Sequence, residues 1–169
     1  MTRADLKEGA EGVGPLAGNE AHARVESESG VPVFFDSIAG AGSKDAGFGL
    51  QLTGTKGIVD IRGDQSPPTH LLAGNPFAPT TEPRAWVPIT SAGPGEAEPI
   101  VDVALLVSSH GASGRDLLAA IRENRAPLCD VRAGAAVIEA ISGVFESHRL
   151  NGQRVAFPLA TRVNPLSLL

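Results

Sequence analysis

Tyrosine is absent from this chain of 169 residues, and cysteine, tryptophan and methionine each occur once. The single cysteine, Cys129, excludes an internal disulfide and fits a reducing compartment. Aromatic residues make up 4% of the chain, which leaves little for stacking on bases or sugars. Lysine is confined to Lys7, Lys44 and Lys56, and the arginines are spread among acids. With 14 basic against 19 acidic residues the formal net charge is -5, and no basic run is concentrated enough to hold a phosphate backbone. Nucleic acid is therefore not an expected partner. No apolar run approaches the roughly 20 residues that span a bilayer. The opening "MTRADLKEGAEG" has no apolar core of a secretory signal. The expectation is a soluble, cytoplasmic protein without a membrane partner.

What the chain does contain is enough apolar material for a core, 42% hydrophobic residues, in a length that suits one domain. Residues 1–19 are rich in glycine and charge without periodicity, and are expected to form a loose arm. From Glu20 the pattern alternates. Ala21, Ala23 and Val25 interleave with His22, Arg24 and Glu26, the two-residue period of a half-buried strand. After the turn "ESESG", "VPVFFDSIAG" predicts a second strand, with Pro32 at an edge or entry position. The glycine-rich "AGAGSKDAG" is expected to be a mobile connection.

"GLQLTGTKG" nearly spells the phosphate-binding loop G-x-x-x-x-G-K-[ST], but Thr55 precedes Lys56 where that motif needs the lysine first. Phe48, Leu50 and Leu52 alternate with Gly49, Gln51 and Thr53. Beyond Gly57, Val59 and Ile61 lie on one side and Ile58, Asp60 and Arg62 on the other. Two strands joined by a short turn predict a hairpin. A phosphate loop needs a helix N-terminus after it, and here a strand follows.

The proline-dense stretch 65–99 is expected to be irregular surface structure with two short strands, in "THLLAG" and "RAWVPI". "PIVDVALLVSS" leans towards helix. "SGRDLLAAIRENR" predicts a helix with Ser113 and Asp116 in a capping-box arrangement, closed by Pro127. "DVRAGAAVIEAISGVFESHRLNG" predicts another, capped by Asp130. Ala135, Ile138, Ile141 and Phe145 form one stripe of it, and Glu139, Ser142, Glu146 and Arg149 the opposite one. "RVAFPL" predicts a closing strand. Strands precede helices, so the expected class is α+β: an open, mainly antiparallel β-sheet with helices packed on one face, residues 20–169 forming the domain.

Few residues suggest chemistry. "GVGPLA", Gly12 to Ala17, fits G-x-G-x-x-A on paper but lacks the preceding strand and following helix of a dinucleotide fold. His110, Ser113 and Asp116 sit close in sequence, yet helix capping accounts for the serine and the acid without a nucleophilic triad. His22, His70, His110 and His148 share no metal-ligand spacing. Cys129 reads as a small buried hydrophobe rather than a reactive thiol. Asp36 and Ser37, at a strand end, read equally as a polar binding surface or a solvated edge.

The order of these segments resembles a known family. "FGLQLTGTKGIVDIR" is similar to the F-G-[LF]-x-[IL]-x-G-[TS]-x-G hairpin of the Gfo/Idh/MocA oxidoreductases. "GRDLLAAIRENRAPLCDVRAGAAVIEAISGVFESHRLNGQRVAFPL" resembles their closing block, with its "ES-x-R-x-G-x-x-V-x-[LF]-P" ending. "GPLAGNEAHARVESESGVPVFFDSIAGAG" resembles their first two sheet strands. The likeness spans roughly residues 12–166. It implies the C-terminal α+β domain of an NAD(P)-dependent sugar or polyol oxidoreductase, which covers the substrate and builds the oligomer. NAD or NADP, the dinucleotide fingerprint and the E-K-P lysine belong to an N-terminal Rossmann domain that this sequence does not contain. The D-x-x-x-H element has no counterpart either. The resemblance therefore places no catalytic, cofactor-binding or metal residue on this chain, and implies no cofactor bound by it alone. It implies a homo-oligomer through the sheet face, a separate Rossmann-domain partner, and a truncated protein inactive by itself. The other expectation, from a different class, is a stand-alone dimerisation or ligand-binding module without catalysis.

Overall fold

A computed structural model describes residues 2–40, 48–63 and 67–169. The chain divides into two compact units, Met1–Ala39 with Asp116–Leu169, and Gly40–Arg115. The expected connection "AGAGSKDAG" falls largely outside the described residues.

In the first unit, where a loose arm is expected, residues 2–19 carry short regular elements. Two 3-10 turns, Arg3–Asp5 and Ala10–Gly12, flank β1 (Lys7–Glu8), which pairs antiparallel with β2 (Pro15–Leu16). The Gly9 amide donates to the Gly14 carbonyl at 2.9 Å, and the Asn164 side-chain amide donates to the Pro15 carbonyl at 3.0 Å. Both bonds end on backbone carbonyls, one from a backbone amide and one from a distant side chain, and neither leaves a periodic signature in sequence. β3 (Glu20–Glu26) and β4 (Pro32–Ile38) form the expected antiparallel hairpin, with Ala21, Ala23 and Val25 half-buried between exposed neighbours.

Asp130 caps the helix Val131–Arg149 as expected, accepting from the amides of Arg132 at 3.0 Å and Ala133 at 2.9 Å. The two stripes of that helix are used in the opposite sense to the usual one. Ile138 is 64% exposed and Ile141 48%, whereas Glu146 is 6% exposed. The polar stripe faces the closing segment and binds it. Leu159 N–H donates to the Glu139 carboxylate at 2.8 Å, the Thr161 hydroxyl to Glu146 at 2.7 Å, and the Ser147 hydroxyl to the Gln153 carbonyl at 2.7 Å. That explains why "RVAFPL" is not the closing strand its alternation predicts. Its backbone is held by helix side chains, Pro158 has no N–H to offer a ladder, and the chain runs irregularly into a 3-10 turn, Pro165–Leu168. Leu159, Pro165 and Leu166 are buried. The Phe157 ring lies against the backbone of Gly143, where a Cβ would stand 2.5 Å from the ring.

The second unit contains one open, antiparallel sheet of five strands, each paired with the next: β5 (Gly49–Gly54), β6 (Gly57–Arg62), β7 (Thr69–Ala73), β8 (Trp86–Thr90) and β9 (Gly93–Pro94). The register places Leu50 opposite Ile61, Leu52 opposite Val59, Val59 opposite Leu71 and Leu71 opposite Val87, so that face is apolar. On the other face Gln51, Asp60 and His70 form one row across three strands. Two short helical runs follow the sheet, α1 (Val103–Ser108) and α2 (His110–Glu123), the second ending in the first unit; Val131–Arg149 is α3. The fold is α+β with an open sheet. Among the described residues no helix is long and apolar enough to cross a membrane.

Candidate functional site

A groove of about 1990 Å³ lies within the first unit, between β3, the second half of α3 and residues 154–157. The alternation of β3 puts Ala21, Ala23 and Val25 on one side of that strand, and Val144, Phe145 and Phe157 supply apolar surface across from it. The charged groups around it largely satisfy one another. Arg24 donates to Glu26 at 2.8 Å, and Arg154 approaches the same carboxylate at 3.9 Å. Arg149 makes two 2.8 Å bonds to Glu146, and these, with the Thr161 hydroxyl, pull the Glu146 carboxyl down to about 2. Both residues are thereby committed to holding the closing segment.

His22 is the most distinctive titratable group in the groove. β3–β4 pairing sets it directly opposite Asp36, and Glu20 shares its face two residues earlier. Nδ1 meets the Asp36 carboxylate at 2.5 Å and Nε2 meets Glu20 at 2.7 Å. The bond to Asp36, and then that to Glu20, raise the imidazole's pKa. When protonated, the ring donates through both nitrogens to the two carboxylates and then has no lone pair left for a general base or a metal ligand. Counting the register back from the "ESESG" turn, Glu26 opposite Pro32, would have found this pair.

The other sequence candidates do not assemble a reactive centre. α2 begins at His110, so Ser113 lies inside it rather than at its cap. The Asp116 carboxylate accepts the Leu128 amide at 2.7 Å and Arg125 at 2.8 Å, which lowers its pKa in that order of importance and ties the turn after α2. It is therefore not available to orient a histidine. Lys56 stands exposed with Thr55 in the two-residue loop between β5 and β6, so the phosphate-loop look-alike is a hairpin. The glycines of "GVGPLA" belong to a 3-10 turn and to the approach to β2. Cys129 is exposed, not a buried hydrophobe; it sits in the turn between α2 and α3. Among the described residues, no group of three or more His, Cys, Asp or Glu could hold a metal ion. No family model, curated protein or solved structure matches this chain.

Proposed function

We propose that this chain is the substrate-covering and assembly domain of an NAD(P)-dependent sugar or polyol oxidoreductase. The dinucleotide would be held by a Rossmann domain outside the present sequence, so that the chain alone binds no cofactor and turns over no substrate. The observation that carries this reading is the block "ESHRLNGQRVAFP". Five residues of the family-like pattern have a structural task here. Glu146 and Arg149 pair and hold Thr161, Ser147 binds the Gln153 carbonyl, Gly152 takes φ +80° at the helix end, and Phe157 packs on Gly143. A motif whose polar residues serve the way the helix receives the closing segment fits a covering domain, whose chemistry is supplied by its neighbour. The apolar sheet face, with Leu50 and Leu52 each about half exposed, supports assembly through that face.

The test is calorimetric titration with NADH, together with the DNA adjoining the reading frame. The reading expects no heat of binding and a Rossmann-encoding segment nearby. Saturable NADH binding by the chain alone, or adjoining DNA without such a segment, counts against it. The groove between β3 and α3 favours a second reading, a stand-alone ligand-binding or dimerisation module without catalysis, which the absence of a neighbouring Rossmann segment would select.

A further inference from the structure

The two strands of the first hairpin differ in how they are covered. In β3 alternate residues are half-buried, whereas all seven residues of β4 are exposed, Phe34 at 72% and Phe35 at 47%. Among the described residues β4 pairs only with β3. Its other edge is therefore an unpaired row of backbone donors and acceptors.

Hydrogen bonds at the two ends of the hairpin show which residues own that row. Ala39 N–H donates to the Asn19 carbonyl at 2.6 Å, and Ser27 N–H to the Val31 carbonyl at 3.1 Å. An antiparallel ladder alternates bonded and non-bonded pairs, so the bonded pairs between them are Ala21 with Ser37, Ala23 with Phe35 and Val25 with Val33. The N–H and C=O groups of Phe34, Asp36 and Ile38, and the Pro32 carbonyl, then point away from β3. Proteins usually guard such an edge with lysine, proline or a bulge. β4 has no lysine, its register is unbroken, its proline stands at the first position, and its one charge, Asp36, is engaged by His22.

We propose that this edge pairs with the same edge of a second copy of the chain, β4 against β4, antiparallel about a two-fold axis at Phe35. The strand is complementary to itself in that register. Phe35 is the middle residue of Pro32–Ile38, so an axis there pairs the whole strand. It sets Phe34 opposite Asp36 of the second copy, two residues whose backbone groups both point outward and can exchange both hydrogen bonds. Ile38 then donates to the Pro32 carbonyl of the second copy, so the missing proline N–H falls at the end of the ladder. An axis at Asp36 would place two carboxylates directly opposite each other, which destabilises pairing. An axis at Phe34 would leave Ser37 and Ile38 beyond the end of the other strand. On the side shared with Ala21, Ala23 and Val25, Phe35 meets Phe35, an aromatic cross-strand pair, and Val33 meets Ser37. The seam uses a strand edge in the first unit. It is separate from assembly through the apolar face of the five-stranded sheet, and it holds with or without a Rossmann partner.

Light scattering on a Leu52→Glu background, which disrupts that face, reads the β4 seam by itself. At about 100 μM, above the micromolar dissociation constant that fits so small an interface, the chain of 17.3 kDa should still run as a dimer. Phe34→Pro removes an N–H from the open edge of each copy and none from the β3 ladder. It should weaken the dimer by about tenfold or more. Cross-linking tests the register, with Cys129→Ser removing the exposed native thiol. Phe35→Cys puts two cysteines on the axis as a non-hydrogen-bonded pair with Cα atoms about 4.5 Å apart, within reach of a disulfide. Val33→Cys puts them about 13 Å apart along the strands. Oxidised glutathione should link Phe35→Cys into covalent dimers and leave Val33→Cys unlinked. The same cross-linking with native Leu52 keeps the test valid if Leu52→Glu or Phe34→Pro does not fold. A monomer on the Leu52→Glu background, a dimer that Phe34→Pro leaves unchanged, or equal linking of the two cysteine variants overturns the proposal. The first of these, beside an oligomeric wild type, would leave the proposed function standing. A β4 dimer with Leu52→Glu no smaller than wild type would support this inference and remove assembly through the sheet face.

Discussion

Arg149 grips Glu146 with two 2.8 Å hydrogen bonds across one turn of α3, and the same carboxylate receives the Thr161 hydroxyl at 2.7 Å. The three side chains join the end of the long helix to the segment that closes the first unit. Replacing Glu146 by alanine removes the carboxylate that accepts from both Arg149 and Thr161 and takes these bonds from both. The expected cost is about 2 kcal/mol, a fall in Tm of about 4–8 °C by differential scanning calorimetry. The pH dependence has a definite sign. The folded carboxyl is depressed to about 2, so its contribution is full above the ordinary value of 4.5 and is lost as pH falls through about 2. The Glu146→Ala variant should therefore lose less stability than wild type on acidification through that window.

Gly143 and Gly134 sit on the same helix and should respond oppositely to alanine. At Gly143 a Cβ would collide with the Phe157 ring, whereas at Gly134 it would meet nothing within 4 Å. Gly143→Ala is expected to cost about 1–3 kcal/mol through overpacking. Gly134→Ala is expected to gain up to about 1 kcal/mol from helix propensity. Chemical denaturation of the two variants beside wild type checks the pair. Equal effects would mean that Phe157 does not pack on α3 as described.

His22 offers a site-specific titration. Its imidazole pKa is raised, by Asp36 first and Glu20 second. A raised value means that the favourable contribution to the β3–β4 hairpin is present below the ordinary imidazole value and is lost as pH rises through the folded one. NMR titration of the ring should give a midpoint above the usual value. Asp36→Asn should bring it down further than Glu20→Gln does. A midpoint at or below the ordinary value, or no response to Asp36→Asn, would break the assignment.

Much of this was legible in sequence because period and register are local. The alternation at Ala21, Ala23 and Val25, the two-sided pattern of 48–62 and the Asp130 cap each depend on a few neighbouring residues, and each took the predicted form. The closing segment failed for the opposite reason. "RVAFPL" has strand alternation, but Glu139, Glu146 and Ser147 claim its polar groups, and which side chains will do so is decided by tertiary placement. The same effect reversed the polarity of α3, whose acidic stripe is the bonded one. The row of Gln51, Asp60 and His70 lies between these cases. Its members sit nine and ten residues apart, and only the pairing of three consecutive strands puts them side by side.

The hairpin reading of "GLQLTGTKG" makes Lys56 dispensable. Its side chain is exposed at the loop and serves no phosphate. Lys56→Ala should change stability by no more than about 0.5 kcal/mol, and neither wild type nor variant should bind ATP in an equilibrium dialysis experiment. Saturable ATP binding lost in the variant would restore the phosphate-loop reading.

Assembly through the apolar sheet face is the physical core of the proposed function, and light scattering measures it directly. Leu50, Leu52, Val59, Leu71 and Val87 share that face. The chain of 17.3 kDa is expected to run as a dimer or larger species, and Leu52→Glu on the exposed edge strand should shift it towards the monomer. A clean monomer of wild type at high concentration would contradict the account.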